Sequence, residues 1–191
     1  MTIALVDMDG TLADFIHELQ DQLKLLASPG EPELSMSSND DEDPRWLKAR
    51  KRLIKSRPGF WKNLKRIPSG FYLVDVLTKL GFQIHILTRG PANNSIAWSE
   101  KLEWVRQHMG DTPITVTLDK GLVYGKVLVD DFPEYALAWL KHRPRGKVIM
   151  PEMPWNMGFE HPQVIRLKQT TDGHTFDDIS IERWREVLGS P

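Results

Sequence analysis

Apolar and polar positions alternate along this chain between short unbroken apolar runs and longer stretches with helical spacing. The runs predict strands at about 2–7, 82–87, 114–117, 127–130 and 147–150, with 163–167 a candidate sixth. The spaced stretches predict helices near 13–27, 68–80, 94–109, 133–141 and 180–188. Ile84-His85-Ile86-Leu87 and Val127-Leu128-Val129 are almost wholly apolar, as strands covered on both faces must be. Strand and helix in alternation imply an α/β fold, a Rossmann-like parallel sheet with helices on both faces. Within 94–109, Trp98, Leu102, Val105 and Met109 recur at helical spacing and are expected in the core. No internal repeat is visible.

Residues 28–67 break this rhythm. A Pro/Ser/acidic stretch, Ser28 to Pro44, predicts a mobile loop. It is followed by Arg45, Lys48, Arg50, Lys51, Arg52, Lys55, Arg57, Lys62, Lys65 and Arg66 with no acid among them, and Phe60-Trp61 lie inside that run. Two readings stand side by side: a solvated helix face, or a few cations turned to a cleft where Phe60 or Trp61 stacks on an anionic substrate.

Composition narrows the classes. A chain of 191 residues makes one sizeable domain with an insertion. The formal net charge of −1 gives no global bias toward nucleic acid or membrane. With no cysteine, a disulfide framework and a thiolate zinc site are both excluded, and a reducing cytosol is expected. The first apolar run stops at Asp7, too short for a signal peptide, and no run approaches the roughly 20 apolar residues of a membrane helix. A soluble, cytoplasmic protein is expected.

The chemistry collects where strands end. The first strand runs into Asp7-Met8-Asp9-Gly10-Thr11. In extended backbone i and i+2 share a side, so Asp7 and Asp9 are expected to converge. Gly10 allows close backbone approach, and Thr11 is read as the cap of a helix beginning at Ala13, whose N-terminus would favour an anion. The second strand leads to Thr88-Arg89-Gly90-Pro91 on the same rim, because ligands of open α/β sheets bind beyond the carboxyl ends of strands. Thr88 offers a hydroxyl; Arg89 is either a bidentate phosphate contact or a solvated side chain. The Lys126–Val129 run delivers Asp130-Asp131. Four carboxylates on one edge repel a phosphate dianion by about 4 kcal/mol per charge pair at 4 Å and an effective dielectric near 20. A cation is therefore required, and an all-oxygen set suits Mg2+. Of two candidate lysines, Lys126 starts its strand, about 13 Å from the far rim at 3.3 Å per residue, so Lys120 is expected to meet the phosphoryl group. The six histidines form no metal pattern, and neither a Ser/His/Asp triad nor a P-loop is present.

Asp7-x-Asp9-Gly10-Thr11, Thr88, Lys120 and Asp130-Asp131 resemble, in order and spacing, the four motifs of the haloacid dehalogenase superfamily of phosphohydrolases. Within it the chain is similar to the 5′(3′)-deoxyribonucleotidase family. The likeness lies in Asp119-Lys120 with nine residues before Asp130-Asp131, Arg57 to Pro68 with Phe60-Trp61, Lys101 to Val105, and Met153-Pro154-Trp155-Asn156. Thr88-Arg89-Gly90-Pro91 departs from that family's usual Thr-Ser-Pro and resembles the phosphatase domain of phage polynucleotide kinases. The resemblance implies a catalytic core at 1–27 and 68–191, with 28–67 as a small helical cap. It further implies Asp7 as nucleophile, Asp9 as acid and then base, and Thr88 and Lys120 on the phosphoryl oxygens. Magnesium would sit on Asp7, the Asp9 carbonyl and Asp130 or Asp131. Gly10, Thr11, Arg89, Phe60 and Trp61 would contact substrate, a small-molecule phosphate monoester of nucleotide type. The alternatives are a polynucleotide 3′-phosphatase, a broad sugar-phosphate phosphatase, or a non-catalytic phosphate-binding module.

Overall fold

The computed structural model describes residues 2–31, 43–177 and 181–188. Six strands form one sheet: β1 (Ile3–Val6), β2 (Gln83–Arg89), β3 (Ile114–Thr117), β4 (Val127–Val129), β5 (Lys147–Pro151) and β6 (Val164–Leu167). Their order is β3-β2-β1-β4-β5-β6, and every pairing is parallel. Among the described residues six α-helices accompany them: α1 (Phe15–Leu25), α2 (Arg45–Lys55), α3 (Pro68–Lys79), α4 (Ser95–Met109), α5 (Pro133–Leu140) and α6 (Ile181–Leu188). The expected strands and helices are present to within a few residues at each end. The expected loop at Ser28–Pro44 falls largely on 32–42, and Ser180 begins the expected last helix; both lie outside the described residues. Among the described residues no helix is long and apolar enough to cross a membrane.

Strand periodicity divides the core in two. Ala4 and Val6 pack on one face with Leu73, Leu77 and Trp104, while Leu5 and Leu128 pack on the other with Trp139 and Val148. Every one of these side chains is fully buried. At roughly 1.5–3 kcal/mol per buried large aliphatic, the central strands anchor the rim that carries the site. Because β1 lies between β2 and β4, the chain reverses direction across the sheet at β1. That is the switch point where a crevice opens beyond the strand ends.

Three expectations need correction. The second strand runs two residues further than expected: Thr88 and Arg89 are still in β2, paired in register with Val116 and Thr117. Helix α1 starts at Phe15, and its cap is Asp14, whose carboxylate accepts the His17 N–H at 3.3 Å. Thr11 caps nothing, because Leu12 and Ala13 both donate to the Met8 carbonyl at 2.8 Å and close the loop first. In α4 the buried face is Ala97, Glu100, Lys101, Trp104 and Val105, whereas Leu102 is 41% exposed and Trp98 and Met109 only partly buried. Two charged residues point inward there, and a purely apolar pattern assigns the wrong phase.

Between α1 and α3, α2 packs against α1, with Leu47 and Ile54 buried. The basic run is largely answered by neighbours. Arg50 pairs with Glu31 at 2.6 Å, Lys51 is buried against Asp43 at 2.5 Å, and Lys62 meets Glu103 at 3.3 Å. Arg57 donates to Gln22, and the Arg66 guanidinium lies 3.7 Å from the Phe71 ring centroid. The segment returns to the core by two backbone bonds, Asp14 N–H to the Lys65 carbonyl and Ile67 N–H to the Leu12 carbonyl, both 2.8 Å. The motif loop is thereby stitched to the chain just before α3.

Candidate active site

Asp7 leaves β1 with its N–H still bonded to the Val129 carbonyl at 2.9 Å. Its Oδ1 accepts the Met8 N–H at 2.8 Å and the Lys120 ammonium at 2.8 Å. Lys120 lies in a short 3-10 turn, Lys120–Leu122, opened by the Asp119 carboxylate accepting the Gly121 N–H. Its Nζ reaches Asp130 Oδ2 at 2.7 Å as well. Lys126 begins the approach to β4 at the opposite edge, over the Phe82 ring. Asp130 follows β4, and its Oδ1 takes the Phe132 N–H at 3.0 Å.

Asp7, Asp130 and Asp131 each offer an oxygen, all within 4.8 Å of one another and all buried. Three carboxylates face one ammonium. Burial, opposed by Lys120, pushes the Asp130 carboxyl up to about 7. Burial and then Asp130 and Asp7 push Asp131 well above the usual carboxylate range. For Lys120, burial works against the charge, but Asp130 and Asp7 outweigh it and raise the ammonium above its ordinary value. Buried carboxylates in excess of their cation are costly. A divalent hard cation on this oxygen set removes that cost, so the residues fit Mg2+.

Asp9 stands apart from that trio. Its carboxylate turns to the Lys101 ammonium, whereas the i, i+2 argument placed it beside Asp7. The reason is local: the chain ceases to be extended after Val6, and Gly10, at φ +78°, begins a turn. A Cβ on Gly10 would lie 2.8 Å from Asp131 Oδ2. Gly10's own N–H is taken by the Ala13 carbonyl at 2.9 Å, so its contribution is space rather than a donor. The Thr11 hydroxyl is buried without a hydrogen-bond partner. Burial raises the Asp9 carboxyl, with Lys101 pulling the other way.

Lys101, in α4, was not among the expected site residues. It donates to Asp9 Oδ2, to Thr88 Oγ1 at 3.0 Å and to the Arg89 carbonyl at 2.6 Å. Two signals for it lie in the chain: the family-like stretch Lys101 to Val105, and its place four residues after Ala97 and three before Trp104, on the face those residues bury. Arg89 projects outward and donates to the Tyr135 hydroxyl at 2.7 Å; the Tyr135 ring also lies 4.8 Å from Lys120 Nζ. Asn156 was likewise unforeseen as a site residue. Its amide donates to the Asp131 carbonyl at 2.9 Å and the Pro151 carbonyl at 2.8 Å, and Trp155 Nε1 donates to the same Asp131 carbonyl at 3.2 Å.

Phe60 and Trp61 are brought beside this site but are both buried, 8% and 4% exposed. Trp61 stacks on Phe15 with centroids 5.2 Å apart, and Phe60 packs edge-on to both rings. The Trp61 indole N–H donates to the Lys55 carbonyl at 2.9 Å, and Glu100 accepts the Gly59 and Trp61 N–H groups. The reading in which Phe60 or Trp61 stands open to stack on an anionic substrate is therefore corrected: both are packed. Phe15 is the partly buried member of the trio.

The chain matches a family model over residues 1–189, that of the 5′ nucleotidase, deoxy (pyrimidine), cytosolic type C protein (NT5C). A Bordetella bronchiseptica protein named "Putative 5′(3′)-deoxyribonucleotidase" is 30% identical over 162 residues, covering 81% of this chain and 85% of its own. The human 5′(3′)-deoxyribonucleotidase, cytosolic type, is 31% identical over 144 residues, 66% of this chain and 69% of its own. A solved HAD hydrolase of family IA, variant 3, from Entamoeba histolytica aligns with 98% of this chain and 99% of its own at 16% identity and a TM-score of 0.48. On the family match and the curated relatives, the chain belongs to the cytosolic type C 5′ nucleotidase family and is a phosphoric monoester hydrolase.

Proposed function

We propose that this protein is a magnesium-dependent, cytoplasmic phosphatase of nucleoside monophosphates, deoxyribonucleotides above all, working through an aspartyl-phosphate on Asp7. The carrying observation is the Asp7 carboxylate at the end of β1, held by Lys120 and the Met8 N–H, with Asp9 on a separate cation beside it. Such a carboxylate is aimed and hydrogen-bonded yet not enclosed by cations, as a nucleophile must be.

Asp7 attacks phosphorus while Asp9 delivers a proton to the departing oxygen; Asp9 then takes a proton from the water that cleaves the acyl phosphate. Lys120 has three N–H donors, of which Asp7 and Asp130 take two, and the third is offered to a phosphoryl oxygen. The Thr88 hydroxyl holds another. Asp7, Asp130 and Asp131, with the Asp9 carbonyl, would hold Mg2+, which when bound offsets charge on the phosphoryl oxygens.

Arg89 supports a second reading. It meets no carboxylate among the described residues, and its exposed guanidinium at the rim suits a further phosphate, as on the 3′ end of a nucleic acid. Phosphate release from deoxynucleoside monophosphates, sugar phosphates and a 3′-phosphorylated oligonucleotide separates the two, since only the oligonucleotide carries a steep salt dependence. Asp7→Asn should abolish release from every substrate with the fold intact; near-normal release would dismiss the covalent route.

A further inference from the structure

We propose that the cavity between β6 and α6 binds a small organic anion, one oxyanion head on an apolar body, and that filling it tightens the Mg2+ site through Arg166, Asn156 and Asp131. The binding stands on its own; the coupling rests on the reading of Asp7, Asp130 and Asp131 as the metal ligands.

The cavity measures about 300 Å³. β6 is the last strand of the sheet, so side chains from both its faces reach this edge, Ile165 and Leu167 from one and Arg166 from the other. With Trp184 and Val187 of α6, the two aliphatic residues make an apolar wall. Arg166, Lys168 and Arg183 line the cavity against Glu152 and Asp177, three cations against two acids. An apolar wall with one cation in excess is complementary to a single negative charge on an apolar body.

Arg166 receives the head. A guanidinium has five N–H donors and no acceptor. Nη2 donates to Asn156 Oδ1 at 3.1 Å and lies 3.5 Å from Glu152 Oε1. Nε is buried without a hydrogen-bond partner, and among the described residues Nη1 has none either. Buried donors left unpaired are costly, and a guanidinium with a vacant end matches the oxygens of a carboxylate or a phosphate.

Asn156 connects that end to the active site. It is buried, and its Oδ1 accepts from Arg166 and from the Met153 N–H at 3.0 Å. Its amide donates to the Asp131 carbonyl at 2.9 Å, and the Asp131 carboxylate belongs to the acidic trio. The anion takes Nη1 while Asn156 keeps Nη2, so the two do not compete. An anion at the vacant end selects the arrangement in which Arg166 stays on Asn156, and Asn156 then holds the Asp131 main chain in place. The coupling is therefore positive, and Mg2+ must tighten the anion by the same factor.

The test is calorimetric titration of the full-length protein in EDTA, which reads binding without turnover. Benzoate and phenylphosphonate present the two heads on one ring; inorganic phosphate and benzyl alcohol present head and body alone. At least one phenyl anion should bind one to one, and phosphate and benzyl alcohol at least tenfold more weakly. Arg166→Met, which removes the donors, and Val187→Trp, which fills the cavity, should each weaken binding tenfold or more. Far-UV circular dichroism establishes folding, and Arg166→Gln replaces the methionine variant if that one does not fold. In Mg2+ titrations of Tm, the saturating phenyl anion should lower the apparent Mg2+ dissociation constant by about fivefold or more, and in Val187→Trp it should not. Absence of binding by both phenyl anions, or binding that survives both variants, would overturn the site. A Mg2+ midpoint unmoved by a bound anion would overturn the coupling. A Tm indifferent to Mg2+ altogether would overturn the metal reading and leave the anion site standing.

Discussion

The buried carboxylates make the metal-free protein sensitive to pH in an unusual direction. Asp130 titrates near 7 in the fold against an ordinary 3.8, so between those limits the folded state holds a proton that the unfolded chain has released. With fewer protons bound in the unfolded state, the Asp130 contribution to stability falls as pH rises from about 4 to about 7 and is flat above, and Asp131 and Asp9, also raised, act in the same direction. The rise from 3.8 to about 7 sets a ceiling near 4 kcal/mol, and about 1 kcal/mol moves Tm by roughly 2–4 °C in a chain of this size. His85 and His108, whose ring pKa values burial lowers, act oppositely below about pH 6.5, so the comparison must keep both. The perturbation is Asp130→Asn, read by thermal denaturation in EDTA at pH 5, 6 and 7.5. The Tm of the variant relative to the native protein should rise with pH by several degrees, and Mg2+ should raise the native Tm more at pH 7.5 than at pH 5. A Tm difference constant across this range, or a Mg2+ effect independent of pH, would refute the reasoning.

Lys120→Ala should lower turnover by about 10²-fold or more, whereas Lys126→Ala should alter stability alone; steady-state kinetics of both variants check the ranking. Asn156→Ala takes a donor from the buried Pro151 carbonyl and leaves the Asp131 carbonyl to the Trp155 indole, at a cost of about 1–3 kcal/mol. It should weaken Mg2+ binding by about 10–100-fold, measured by Mg2+ titration of the Tm. Trp61→Ala empties a packed site and should destabilise by roughly 3–5 kcal/mol. Its turnover of nucleotide and aryl phosphate should fall in parallel; a selective rise in KM for nucleotides would restore base stacking to this ring.

Strand identity, sheet type and the rim position of Asp7, Thr88, Asp130 and Asp131 were legible because they depend on local rules. A continuous apolar run is a strand buried on both faces, and a charged residue ending it must sit at the edge. The acidic pairs and the lysine were conspicuous for the same reason: each is a charge where the pattern leaves room for none. What the chain conceals is the direction of each side chain once backbone regularity stops. The i, i+2 rule governs β1 but not the turn after it, so Asp9 went to Lys101 and not to Asp7. For residues joined only by long-range contact, the family-like stretches Lys101 to Val105 and Met153 to Asn156 stood out, but not the partners that they meet. Lys101 reads as one more helical lysine until Asp9, 92 residues earlier, arrives to meet it, and Asn156 as a turn residue until it closes on Asp131. The basic run shows the converse. Its charges looked available, yet Glu31, Asp43 and Glu103 neutralise several of them from segments that tertiary folding alone brings near. The kind of chemistry was set by which residues end the strands; which oxygen, which lysine and which ring take part was decided by packing, because only the fold determines which donors and acceptors are left without another partner.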